Sequence, residues 1–102
     1  MRILITAETQ FQIPPELLGQ LMEGFVAWRA RHRAKMDNFY FFAGGGGGVG
    51  VANVADEVEL NQVMLEWPFL PFSKVSYRPV VDGDVGLKQW QAALAAVVPP
   101  GR

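Results

Sequence analysis

Cysteine is absent from the 102-residue chain, which excludes disulfides, thiolate zinc sites, iron–sulfur clusters and cysteine nucleophiles by counting alone. Histidine occurs once, as His32, with no second histidine or paired-carboxylate spacing beside it, so no metal is expected. An excess of either charge is also missing. Nine Lys and Arg against ten Asp and Glu give a formal net charge of -1, which removes the attraction behind nonspecific binding to nucleic acid or an anionic membrane. Neither is expected as a partner. No run of about 18 apolar residues occurs, and the opening stretch from Met1 to Glu8 is too short and too soon acidic for a signal peptide. The expectation is a cytoplasmic protein. Dinucleotide fingerprints, Ser-His-Asp sets and kinase motifs are missing too, which removes large cofactors and triad chemistry, and no cofactor is expected.

What is present is a hydrophobic fraction of 50%, enough for one core, so residues 1–102 read as a single domain. Residues 2 to 8 carry Ile3, Leu4, Ile5 and Thr6, β-favouring side chains that predict a first strand covered on both faces. Pro15 at a first helical position, followed by Glu16, opens a helix over residues 15 to 33, with Leu17, Leu18, Leu21, Met22, Phe25 and Trp28 at helical spacing. The aromatic run Phe39-Tyr40-Phe41-Phe42 within 37–43 and the β-rich run 49–54 predict strands two and three on either side of five consecutive glycines. Asp56 with Glu59 three residues on is a variant of the capping box, opening a short helix that Pro68 stops. Residues 73 to 81 alternate into a fourth strand with one polar face. Asp84 is expected to cap a last helix carrying Leu87, Trp90, Leu94 and Val97 and closed by Pro99-Pro100.

The order βαββαβ with right-handed crossovers predicts an α+β, ferredoxin-like domain. Its four-stranded antiparallel sheet has both main helices on one face, and an extra helix follows at the C-terminus. The other sheet face is left bare. Because strand two offers Phe39 and Phe41 on one side and Tyr40 and Phe42 on the other, that bare face is expected to be an interface. A homodimer or higher homo-oligomer follows, which the short chain also favours. The rival is the C-terminal helix, residues 85 to 98, folding back over the sheet with Leu87, Trp90 and Leu94.

Residues 43 to 77 resemble the muconolactone isomerase family of small dimeric α+β barrel proteins. The likeness rests on Ala43-Gly44, Val51, Val54 and Leu60, and above all on Trp67-Pro68-Phe69-Leu70-Pro71-Phe72 leading into strand four. The resemblance implies a ferredoxin-like subunit, a homo-oligomer of paired sheets, and proton-shuttling chemistry on a small anionic lactone. Two positions depart from the family pattern: Gly45 stands in place of a histidine, and Phe41 in place of an arginine.

Several side chains could carry acid–base chemistry. Tyr40 and Tyr77 either complete an aromatic core with their hydroxyls at its rim or hydrogen-bond a developing enolate oxygen. His32 lies among Arg29, Arg31, Arg33 and Lys35 at the end of the first helix, where it faces water and complements the helix dipole, or serves as a catalytic imidazole. Glu66, just before Trp67-Pro68, is a base if buried and an ordinary helix-end carboxylate if not. Trp67 and Phe72 flank a proline-stiffened junction and are candidates for substrate contact, Trp67 as a largely buried side chain. Lys74 and Arg78 share one side of strand four with Ser76, giving either a charge-protected edge or an anion grip. The glycines Gly44 to Gly48 lack the helix start and Lys-Ser/Thr pair of a phosphate loop and read as a hairpin, or as a flap over a pocket. Asp56, Glu57 and Glu59 read as structural.

Two functions fit these residues. One is a cofactor-independent isomerase or cyclase-like enzyme acting by acid–base chemistry on a small, anionic lactone or enolisable carbonyl compound. The other is a noncatalytic small-ligand-binding or assembly module on the same scaffold.

Overall fold

Ile3, Ile5 and Ala7 alternate along the first strand, β1 (Arg2–Thr9), and all three are buried on one side, while Leu4 and Thr6 are only half covered on the other. That asymmetry sets the architecture of the computed structural model, which describes residues 1–97. A helix, α1 (Pro15–Arg31), and a short 3-10 turn (Arg33–Lys35) lead to β2 (Met36–Phe41) and β3 (Gly47–Asn53). Then α2 (Glu57–Leu65), a second 3-10 turn (Leu70–Phe72), β4 (Ser73–Val80) and α3 (Gly83–Val97) follow. The sheet order is β2-β3-β1-β4 with every pairing antiparallel, the α+β, ferredoxin-like arrangement expected from the sequence.

The core lies between the sheet and the helix pair. Ile3, Ile5, Trp28, Ala52, Val63 and Met64 are all buried there, and the Trp28 indole N–H donates to the Val63 carbonyl at 2.8 Å, tying α1 to α2. The Asp56 carboxylate accepts from the Glu59 amide at 2.9 Å, so the N-cap forms as the spacing predicts, while the Glu59 carboxylate lies 3.7 Å from the Lys35 ammonium.

Three local expectations are corrected. The first helix stops at Arg31, and His32 is its C-cap (φ -105°, ψ 21°). The last helix is capped by Asp82 and not Asp84: its carboxylate accepts from the amides of Asp84 and Val85 at 3.1 and 3.3 Å. Asp84 sits inside the first turn, where a carboxylate favours the helix dipole without capping it. The third strand starts within the glycine run, because Gly47 and Gly48 already pair with Glu8 and Ala7. The expected stop at Pro99-Pro100 lies outside the described residues.

The last helix does not fold back over the sheet. Its residues through Val97 are exposed except Gly86, which is half covered, and the molecule extends 68 × 27 × 19 Å. None of the helices among the described residues is long and apolar enough to cross a membrane.

Candidate functional site

Register places small residues side by side on the helix-facing side of the sheet. Ala7 pairs with Gly48, and Ile5 with Gly50, which in turn faces Phe39 across β2. Gly48 and Gly50 carry no side chain toward the helices: a Cβ at Gly48 would strike the Tyr40 carbonyl on the neighbouring strand, and one at Gly50 would meet the terminal methyl of Met36. The space above them is a cavity of about 580 Å³, within the ~300–1,000 Å³ range of small-molecule sites.

Aromatic rings wall it. Phe25 on α1 stands 5.6 Å from Phe39, 5.8 Å from Phe41, 5.7 Å from Trp28 and 6.1 Å from Phe69. Trp67 continues the chain, 6.4 Å from Trp28 and 6.0 Å from Phe69. These centroid distances are those of packed aromatic pairs. Leu18 and Met22 on the overhanging N-terminal half of α1 also line the space, which is why both stay partly exposed despite their helical spacing.

The glycine hairpin closes one end. Gly44, Gly45, Gly46 and Gly47 all have positive φ, from 86° to 131°, and Gly45 to Gly48 contribute to the lining. The hairpin reading therefore holds, and the hairpin also borders the pocket. A Cβ on Gly47 would meet the Ala7 carbonyl, so only glycine lets the strands approach there.

Polar groups are few. Thr9 and Ser73, paired across β1 and β4, lie in the lining, and the Ser73 hydroxyl donates to the Phe69 carbonyl at 2.9 Å. Tyr40 contributes from the margin of the edge strand, on the opposite side from Phe39 and Phe41 and 61% exposed. Its phenolic oxygen accepts from the Asn38 amide at 2.8 Å, so its own O–H remains available to donate. Among the described residues of the lining no carboxylate, imidazole, lysine or arginine occurs.

The sequence-derived candidates separate accordingly. Trp67 belongs to the cavity and is half-buried because one side borders that space, while Tyr40 touches only its margin. His32 does not face water. It is buried against Trp28, and its Nε2–H donates to the Glu66 carboxylate at 2.7 Å, while Arg31 holds the other oxygen at 3.2 Å. The helix ends just before His32, and the C-cap turn carries the ring inward to α2. Glu66 itself is exposed. Together the two form a clasp between the helix ends, outside the cavity lining.

Tyr77 faces the helix side of β4, opposite Ile5, and burial pushes its phenol above the ordinary value. Lys74 and Arg78 share the opposite, open side of this edge strand, away from the lining, and Phe72, in the 3-10 turn before it, is not part of the lining either. No group of three or more metal-ligating side chains occurs among the described residues. The floor, Ala7, Gly48 and Gly50, escaped the sequence reading. Its signal was there in Gly48-x-Gly50-x-Ala52, small residues at period two that leave one face of a strand bare.

No family model matches the chain, and no curated protein does. Solved structures share its fold. The crystal structure of muconolactone isomerase superposes over 80% of this chain and 90% of its own, with a TM-score of 0.70 at 14% identity. A 5-chloro-2-hydroxyhydroquinone dehydrochlorinase from Burkholderia phenoliruptrix, in complex with 2,5-dihydroxybenzoquinone, matches over 83% of this chain and 98% of its own, with a TM-score of 0.61 at 15% identity. The chain thus has the muconolactone isomerase-like fold, a scaffold that carries enzymes in both of these neighbours.

Proposed function

We propose that the chain takes up a small, weakly polar, oxygen-bearing ring compound in the helix-side cavity and acts on it as a cofactor-independent isomerase or cyclase-like enzyme. The observation that carries this reading is the cavity of about 580 Å³ walled by a continuous chain of aromatic rings over a bare glycine floor. Such a surface binds through apolar area and ring contacts. With no lysine or arginine in the described lining, an anion would lose hydration without gaining a partner. A neutral lactone or enolisable carbonyl compound fits better than the anionic one that the sequence suggested.

Tyr40 reaches this lining from the margin, with its hydroxyl beside Asn38 on the opposite side of β2, so the cavity-side hydroxyl that the Phe69 carbonyl does not already take is that of Thr9. The role this permits is donation to a carbonyl oxygen as negative charge develops on it, with the α proton passing to solvent water because the described lining holds no base. A second reading, noncatalytic binding, is favoured by the lack of any carboxylate or imidazole in the described lining to take a proton.

The test uses the Trp90→Phe background, in which Trp28 and Trp67 report on the cavity and the exposed Trp90 does not. Neutral lactones and cyclic ketones are titrated by fluorescence, and solvent-deuterium exchange α to the carbonyl is followed by NMR. Saturable quenching is expected, with exchange that Thr9→Val slows about 10²- to 10³-fold while changing affinity little. Quenching without exchange leaves the binding module; no quenching by any compound overturns both readings.

A further inference from the structure

We propose that the ligand is a neutral, planar compound of two or three fused rings bearing a hydroxyl or keto oxygen at one end, and not a single-ring compound. This inference rests on the cavity being the ligand site, and three observations carry it further.

The first is size. A space of about 580 Å³ lies well inside the ~300–1,000 Å³ range of sites that enclose drug-sized ligands. A single-ring lactone or phenol is much smaller than such ligands, and each fused ring brings it closer to them. It would leave apolar wall without partner atoms, and those lost contacts are what a well-filled site gains.

The second is shape. Gly48 and Gly50 are two residues apart on the same face of β3 and lie beside Ala7 on β1. At about 3.4 Å of rise per residue, they leave a strip of β3 about 7 Å long with no side chain of its own, comparable with two fused six-membered rings and edged over Gly50 by the Met36 methyl. Above this floor Phe25 meets Phe39 at 70°, and Phe39 meets Phe41 at 81°. Rings set at right angles offer both an edge and a face to a planar guest.

The third is the placing of polarity. Thr9 and Ser73 lie opposite each other in register, so their hydroxyls cluster at one end of the site. Ser73 already donates to Phe69 and so presents oxygen lone pairs. Nothing charged lines the space among the described residues. One oxygen at one end of an otherwise apolar body is the complementary pattern.

The experiment titrates the full chain calorimetrically with 1-naphthol, phenol and 1-naphthoate, and repeats the titrations with Ala7→Leu and Gly50→Ala. Ala7→Leu fills the floor. Gly50→Ala is the milder probe, since its new Cβ meets first the terminal methyl of Met36, at 3.2 Å, which can move aside. The expected result is 1-naphthol at least tenfold tighter than phenol and than 1-naphthoate, with at least one folded variant weakening 1-naphthol at least fivefold and phenol less than twofold. The variants separate a shaped site from the greater hydrophobicity of naphthol, which no single substitution alters. If phenol binds as tightly as 1-naphthol, if 1-naphthoate matches it, or if both variants leave the preference intact, the fused-ring proposal falls while the cavity reading stands. If none of the three compounds binds the wild type, both fall.

Discussion

At 6% exposure, the His32 side chain is held between Trp28 and the Glu66 carboxylate. A carboxylate can only accept, so the histidine Nε2 carries the shared proton and the contact joins the ends of α1 and α2. Loss of a buried, hydrogen-bonded group of this kind costs about 1–3 kcal/mol. His32→Ala is expected to lower the unfolding free energy by that amount in urea titration. Because the clasp lies outside the cavity lining, ligand affinity should change less than threefold. Tyr77 gives a pH dependence. Its phenol lies above its ordinary value of 10.0 because burial disfavours the phenolate. The folded state therefore holds the proton more tightly than the unfolded chain, and the stability this contributes is fully present below about pH 10. It is lost as pH rises through the raised value. Melting temperatures measured between pH 9 and 11.5 should fall more steeply for the wild type than for Tyr77→Phe. Parallel curves would show that Tyr77 contributes nothing to the alkaline loss.

Among the elements, the β2–β3 hairpin depends most on single residues. Gly47 combines φ of 131° with a carbonyl that any Cβ would strike. Gly47→Ala is expected to cost at least about 2 kcal/mol and to shift hydrogen exchange in β2 and β3 before β1 and β4. Gly44→Ala has open space around it and should cost less, about 1 kcal/mol from its positive φ alone. The elements themselves were legible in the sequence, since their signals are local. Pro15 opens α1, Asp56 caps α2 through the Glu59 amide, and the alternation after Ser73 yields β4 with Lys74, Ser76 and Arg78 on one side. The site was legible only in part. Tyr40 and Trp67 stood out as aromatic side chains that chemistry can use. The floor is defined by side chains that are missing, and it becomes a cavity only through the pairing of Ala7 with Gly48 across strands far apart in sequence. The inward turn of His32 was hidden for the same reason: its cationic neighbours suggest water, and the group that pulls it inward, Glu66, lies 34 residues away.

For the whole molecule, the uncovered last helix is the feature that the isolated chain leaves unsatisfied. Leu87, Trp90, Leu94 and Val97 recur at helical spacing with exposures from 55% to 78%, an apolar stripe of the kind that marks an interface. A homo-oligomer remains the proposal that accounts for it, with a second copy as the occupant. At a net charge of -1 two copies barely repel. Multi-angle light scattering at micromolar concentration should then give at least twice the mass of one chain, and Trp90→Asp should return it to the monomer. A wild-type monomer would exclude this partner. The central claim, that the helix-side cavity is the ligand site, is tested most directly by intermolecular NOEs between bound 1-naphthol and the protein's methyl groups. The account predicts NOEs to the methyls of Ala7, Met36 and Met64, which line the cavity, and none to those of Leu4 and Thr6 on the open face of the sheet. NOEs confined to the open face or to the last helix would contradict it.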